Sequence, residues 1–159
     1  AFSLSQDIGV TVAEAKEYMN RYFNTYSGVR TYMSDVVERA KEDGYVSTLM
    51  GRRRWLPELH SSNFNNRAFG ERVALNMPIQ GTAADIIKLA MIRVCRRLKA
   101  EKLKAKLVLQ VHDELIVECP EEAGEQAKAI LQEEMMRVAK LNVPLIADAH
   151  IGKNWLDAK

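Results

Sequence analysis

A short polar triplet, His112-Asp113-Glu114, stands between two apolar runs and is the sharpest candidate for chemistry in the sequence. The runs at 107–111 and 115–119 have the length of short strands. A tight turn between two such strands exposes its side chains on a rigid base, and carboxylates there suit Mg²⁺, which takes oxygen ligands and keeps several waters. The turn lacks the Asn-Gly or Asp-Gly pair of many hairpins. An ordinary polar turn stays open as the alternative, since Asp is common in turns.

Three polar residues upstream, Arg72, Asn76 and Gln80, follow one another at intervals of four. On a continuous helix they would share one face. All three are hydrogen-bond donors of long reach, and the minor groove of a duplex offers acceptors at every base pair. The row could therefore test duplex shape without sequence preference. The alternative is the polar surface of a capped helix, and Pro78 disturbs the geometry of the row.

Charge is distributed unevenly along the chain. Residues 1–106 contain 18 Lys and Arg against 11 Asp and Glu, whereas residues 107–159 contain 5 against 10. The basic part includes Arg52-Arg53-Arg54 and a run of Lys and Arg over 93–106. This asymmetry suggests a polyanionic partner on one side of the molecule. A solvated helix face is the alternative.

Composition excludes several classes of protein. Hydrophobic residues make up 47% of the 159 residues and charged residues 28%, which favours a packed core over disorder. The apolar runs are too short for a membrane-spanning helix. Cys95 and Cys119 form no CxxC pair, which excludes a disulfide framework and a structural zinc site. Since the sequence starts with Ala1 and shows no targeting pattern, we expect a processed chain or a piece of a longer one.

The pattern of the first part predicts two helices and a hairpin. The segment Thr11-Val-Ala-Glu14 has the form of a capping box and starts a helix over 12–26, which we expect Gly28 to end. A second helix is expected over 29–42. Weak alternation over 45–56 predicts a β-hairpin.

The pattern of the second part predicts further helices and strands. A helix over 63–76 is expected to kink or end at Pro78, with Thr82 capping the next helix. After the hairpin that carries the polar triplet, a helix over 120–140 and a strand over 145–151 are expected. The predicted fold class is α+β and helix-rich.

The segments RVALNMPIQGTAADIIK at 72–88 and QVHDEL at 110–115 together resemble the C-terminal part of family A DNA polymerases of the bacterial type. The segments GRRRWLP at 51–57 and GKNWLDAK at 152–159 fit the same family, in the same order. The resemblance covers essentially the whole chain. It implies a right-hand architecture in which residues 1–60 are the C-terminal part of the fingers and residues 61–159 the C-terminal part of the palm, whose antiparallel sheet bears a catalytic β-hairpin.

The resemblance also implies roles for individual residues in a DNA-directed DNA polymerase, which transfers a nucleotide from dNTP to the primer 3′-OH. Asp113 would be one of two carboxylates that hold two Mg²⁺ ions, and Glu114 an auxiliary acidic residue. His112 would lie beside the primer terminus. The implied contacts to primer–template DNA are Arg72, Asn76 and Gln80.

Two family features do not occur in this sequence: a motif resembling DYSQIE, with the other catalytic aspartate, and the helix that grips the incoming nucleotide. We therefore expect the isolated chain to be inactive and to need the remainder of the polymerase chain. The expected setting is the bacterial cytoplasm, at the nucleoid, with no membrane partner. Two alternatives are a non-catalytic module that binds duplex nucleic acid through 52–106, and a metal-dependent nuclease using the polar triplet. The nuclease lacks a second ligand cluster such as DxD.

Overall fold

The computed structural model describes residues 1–158 and is helix-rich with two small antiparallel sheets, which confirms the predicted α+β class. No helix within these residues is long and apolar enough to cross a bilayer. The elements in chain order are α1 (Phe2–Ile8), α2 (Val12–Thr25), α3 (Ser27–Asp43), β1 (Tyr45–Ser47), β2 (Arg53–Trp55), α4 (Phe64–Ala100), β3 (Lys106–Val111), β4 (Glu114–Glu118) and α5 (Gly124–Met136). Short 3-10 helices precede α4 and α5 at Pro57–His60 and Glu121–Ala123.

The chain divides into two compact units, Ala1–Pro78 and Ile79–Lys159. The first unit contains α1 to α3, the hairpin β1–β2 and the first part of α4. The capping box predicted at Thr11 and Glu14 is present. The core of this unit consists of Ala40, Val46, Leu56, Leu59 and Ala74.

The second unit contains the rest of α4, the hairpin β3–β4 and α5. Its core is formed by an apolar stripe of α4 together with one side chain of β4 and two that lie on or after α5. The buried members are Ile87, Ala90, Val94, Leu98, Leu115, Ile130 and Val138. Leu107 and Val117 of the hairpin pack against this cluster, so the hairpin has one face on the core.

The boundary predicted at Gly28 is wrong, because Gly28 lies inside the first turn of α3. The break between α2 and α3 falls at Tyr26, whose φ of −108° and ψ of 60° are not helical. A glycine is tolerated in a first turn, where the backbone N–H groups have no intrahelical partner. Helix α1, which starts at Phe2, was not predicted.

The structure excludes one of the two outcomes predicted at Pro78, a helix end, because α4 is assigned as one helix from Phe64 to Ala100 with Pro78 inside it. Thr82 is therefore not an N-cap but a residue of the helix interior with 8% exposure. A proline removes one intrahelical hydrogen bond, here the one to the carbonyl of Ala74. Ala74 before the proline and Ala90 after it are almost completely buried, and this packing keeps the chain helical on each side.

The strand predicted over 145–151 is wrong as well, since no strand is present there in the described part of the chain. The burial of side chains over 145–150 still alternates as in a strand: Leu145 and Ala147 are half-buried, and Ile146 is exposed. Within residues 1–158 this backbone pairs with no strand, and it contacts α5 through a hydrogen bond of 3.1 Å from Gln132 Nε2 to the carbonyl of Ala147. Helix α5 ends at Met136, earlier than the predicted 140.

Candidate functional site

The hairpin β3–β4 presents the polar triplet at its tip and anchors its base in the core. The strands pair antiparallel from Lys106↔Glu118 to Val111↔Glu114. Leu115, one residue after the triplet, is 7% exposed and belongs to the core cluster. The tip is therefore tied to the core at the residue that follows it, which limits its movement.

A β-bulge at Val108 interrupts the ladder between the Leu107↔Val117 and Leu109↔Ile116 pairs. One extra residue on β3 changes which side chains share a face. Leu107 packs against the core cluster, whereas Gln110 is exposed although it pairs with the buried Leu115 in the register. Strict alternation would have put Leu107 and Leu109 on the same side. The bulge therefore sets the orientation of the tip-proximal half of β3.

The turn at the tip has two residues, His112 and Asp113, between the paired Val111 and Glu114. His112 has a φ of +52°, in the left-handed region that two-residue hairpin turns require and that histidine adopts more often than most residues. Gln110 Nε2 donates a hydrogen bond of 2.6 Å to the carbonyl of His112. The side chain of Gln110 thus stabilises the turn that carries the triplet.

The carboxylates of the triplet are exposed, and their surroundings differ. Glu114 Oε2 accepts a hydrogen bond of 3.2 Å from the indole N–H of Trp155. The carboxylate of Asp113 has no hydrogen-bond or ion-pair partner within residues 1–158. An exposed carboxylate without a partner is available to a cation or to water.

Metal-ligand groups do not cluster further in the described residues: no group of three or more His, Cys, Asp or Glu side chains could hold a metal ion there. The two oxygen-donor side chains at the tip are Asp113 and Glu114. Mg²⁺ is usually held by one or two protein carboxylates together with waters and substrate phosphates. The carboxylates of Asp113 and Glu114 could therefore supply the protein oxygens of a Mg²⁺ site, but not its remaining ligands.

Arg72, Asn76 and Gln80 all lie on α4. Because α4 is assigned as one helix over this stretch, residues four positions apart lie on the same side of it. Arg72 and Asn76 belong to the first unit and Gln80 to the second, and all three are exposed. The Arg72 guanidinium lies 6.0 Å from the ring centre of Phe69. The side chains of Asn76 and Gln80 make no hydrogen bond to any other described residue.

The family model "DNA polymerase family A" matches residues 1–157. The chain belongs to this family. DNA polymerase I of Bacillus subtilis (strain 168) is 52% identical over 158 residues, and DNA polymerase I of Bacillus caldotenax is 51% identical over 158 residues. Each alignment covers 99% of this chain and 18% of the relative, so the chain spans less than a fifth of these polymerases.

A solved polymerase structure contains the same fold. It is the POL domain of Pol1 from M. smegmatis in complex with DNA primer-template and dNTP, with a TM-score of 0.93 and 46% sequence identity. The match covers 98% of this chain and 27% of that chain. The resemblance inferred from the two central motifs is thereby confirmed.

Two contacts of the site were not predicted from the sequence. The contact between Trp155 and Glu114 joins residues 41 positions apart, and no local pattern indicates it. The hydrogen bond from Gln110 to the turn spans two positions, and a long amide beside a two-residue turn was a usable signal.

Proposed function

We propose that the chain is a fragment of a DNA-directed DNA polymerase that adds nucleotides from dNTP to a primer 3′-OH, and that Asp113 is one of its metal ligands. The observation that carries this proposal is the exposed, unpartnered carboxylate of Asp113 on a hairpin tip anchored in the core at Leu115. The family match over residues 1–157 supports the same chemistry.

Divalent metal ions are generally used by family A DNA polymerases, and we propose Mg²⁺ here. When bound, the metal lowers the pKa of the primer 3′-hydroxyl and stabilises charge on the triphosphate. Asp113 supplies a carboxylate to it, and Glu114 supplies an auxiliary carboxylate beside the first. Among the described residues, no third His, Cys, Asp or Glu side chain joins Asp113 and Glu114 in a metal-binding group. The other protein carboxylate of the site therefore comes from a part of the polymerase outside this chain.

Two parts of the chain are proposed to contact DNA: the polar side chains on α4 and the tip of the β3–β4 hairpin. Arg72, Asn76 and Gln80 are exposed donors on one uninterrupted helix, which supports a contact to the minor groove of primer–template DNA. His112 is exposed beside Asp113, which supports a position at the primer terminus. The M. smegmatis relative was solved with DNA primer-template and dNTP, and these are the ligands proposed here.

In this proposal, residues 1–60 are the C-terminal part of the fingers and residues 61–159 the C-terminal part of the palm. The isolated chain is inactive because it holds one of two main metal carboxylates. The parent acts on DNA in the bacterial cytoplasm, consistent with the bacterial sources of the DNA polymerase I relatives.

The test is primer extension with Mg²⁺ after this chain is mixed with a separately made upstream piece of the polymerase. Wild-type chain is expected to restore activity, whereas Asp113→Asn is not, because an amide oxygen without charge is a poor ligand for Mg²⁺. Glu118→Gln, at the other end of β4, is the matched control and is expected to restore activity. Equal activity with Asp113→Asn would reject the metal-ligand role, and primer extension by the wild-type chain alone would reject the expected inactivity.

In the intact polymerase, Asp113→Asn is expected to abolish nucleotide addition while primer–template binding stays nearly unchanged. Binding is measured by the same titration of labelled primer–template in both proteins. A residual rate above a few per cent of wild type contradicts the proposal.

A further inference from the structure

Trp155, in the C-terminal segment of the second unit, contacts the candidate site. The indole N–H of Trp155 donates to Glu114 Oε2 at 3.2 Å. An indole has a donor and no acceptor, so it suits a carboxylate partner in its charged form. The other oxygen, Oε1 of Glu114, has no hydrogen-bond partner in the described part of the chain.

The segment that leads to Trp155 is fixed at two points. Ile151 packs on the start of α5, where a Cβ on Gly124 would lie 3.3 Å from Ile151 Cδ1. At the next residue the chain turns back on itself: a Cβ on Gly152 would lie 2.6 Å from the backbone nitrogen of Ala158. Real Cβ atoms do not approach backbone so closely, so this fold-back requires glycine.

The turn that contains Trp155 is closed by its own hydrogen bonds. Asn154 Nδ2 donates to Asp157 Oδ2 at 2.6 Å, and the backbone N–H of Asp157 donates to Asn154 Oδ1 at 3.1 Å. Trp155 therefore sits on a turn of defined shape rather than on a free chain end. Its direction towards Glu114 follows from that turn.

We propose that Trp155 is a positioning residue, which holds the Glu114 carboxylate in one orientation beside Asp113. This inference rests on the proposed function. An exposed glutamate otherwise samples several rotamers, and one hydrogen bond to Oε2 selects among them while leaving Oε1 open. Partners that orient carboxylates at metal sites typically change metal affinity or activity by 10- to 100-fold when removed.

The first test is made in the intact polymerase with Trp155→Phe, which removes the donor and keeps an aromatic ring. The variant is expected to need about tenfold more Mg²⁺ for half-maximal primer extension, with the KM for primer–template unchanged. Trp55→Phe is the matched control, since Trp55 packs its ring against Tyr45 in the β1–β2 hairpin, 5.2 Å between ring centres. It is expected to behave as wild type.

The second test does not depend on activity. In metal-free polymerase with isotope-labelled tryptophan, the indole N–H resonance of Trp155 is identified by its loss in Trp155→Phe. Glu114→Ala is expected to shift this resonance and to speed its hydrogen exchange, whereas Glu118→Ala leaves both unchanged. This measurement keeps Trp155 in place, so it decides the question even where Trp155→Phe does not fold.

The positioning role is rejected if Trp155→Phe matches Trp55→Phe in its Mg²⁺ requirement, or if Glu114→Ala leaves the Trp155 resonance unchanged. Failure of the proposed function has a different signature: either the wild-type polymerase does not extend a primer, or Asp113→Asn extends it as well as wild type.

Discussion

The guanidinium of Arg97 on α4 donates a hydrogen bond of 2.6 Å to Glu133 Oε2 on α5. The same guanidinium bonds Glu101 at 2.8 Å and Glu134 at 3.2 Å. One turn earlier on α4, Arg93 Nη1 donates to the backbone carbonyl of Arg137 at 2.6 Å, just past the end of α5. These contacts join α4 to α5, so two arginines of the basic run at 93–106 make hydrogen bonds within the protein.

We predict that Arg97→Met makes the chain less stable at neutral pH and less sensitive to acid. The hydrogen bond from Arg97 is the main cause that holds the pKa of Glu133 below its ordinary value of 4.5. A carboxyl with a lowered folded-state pKa stabilises the fold fully above its unfolded value and loses that contribution as the pH falls through the folded value. The difference in melting temperature between wild type and Arg97→Met should therefore shrink below pH 4.5.

The matched control for that series is Arg96→Met, because Arg96 is exposed and makes no ion pair with any described residue. Its melting temperature should follow wild type at each pH. A constant offset for Arg97→Met over the whole series would show that the pH dependence does not come from this network.

We predict that Thr11→Ala lowers the free energy of unfolding by about 1 kcal/mol. The Thr11 hydroxyl accepts a hydrogen bond of 3.2 Å from the backbone N–H of Glu14, and the backbone N–H of Thr11 donates to Glu14 Oε2 at 2.9 Å. The measurement is urea unfolding of the chain followed by circular dichroism. Thr31→Ala, inside α3, is the control and should not destabilise, since alanine has the higher helix propensity. Equal losses in both variants would contradict the capping role.

We predict that Lys102→Gly stabilises the chain by about 1 kcal/mol. Lys102 has a φ of +51° just after α4, and the N–H of Leu103 donates to the carbonyl of Leu98 at 3.0 Å, as in a Schellman motif. A lysine is strained in this conformation and a glycine is not. Lys104→Gly, outside that motif, should be neutral or slightly destabilising in the same urea titration. Stabilisation of equal size in both variants would mean that backbone strain at Lys102 is not the cause.

We predict that Arg72→Ala in the intact polymerase weakens engagement of primer–template by roughly 1–3 kcal/mol, the scale of a good contact to a base edge. Arg39→Ala is the matched control, because Arg39 is an exposed arginine of the same unit with no ion pair to a described residue. Binding is titrated at a fixed salt concentration, since phosphate contacts alone change affinity with salt. Unchanged affinity and unchanged primer extension in Arg72→Ala would reject the contact.

Local signals were sufficient to predict the capping box at Thr11, the two hairpins and the polar tip around Asp113. Each depends on residues close in sequence, and side-chain period and turn chemistry act at that range. The continuation of α4 past Pro78 could not be read from the sequence, because it depends on burial of side chains on both sides of the proline, and burial is not visible in a local window. The partner of Glu114 could not be predicted, since Trp155 reaches it by a turn whose shape depends on contacts distant in sequence.

The bulge at Val108 determines where the hairpin tolerates a change of length. No residue of β4 lies opposite Val108, so a relative that lacks this residue keeps each cross-strand pair from Leu109↔Ile116 to the tip. A deletion nearer the tip would instead leave Glu114 without its partner Val111 or rebuild the two-residue turn. In an alignment of such hairpins, a one-residue gap therefore belongs at Val108.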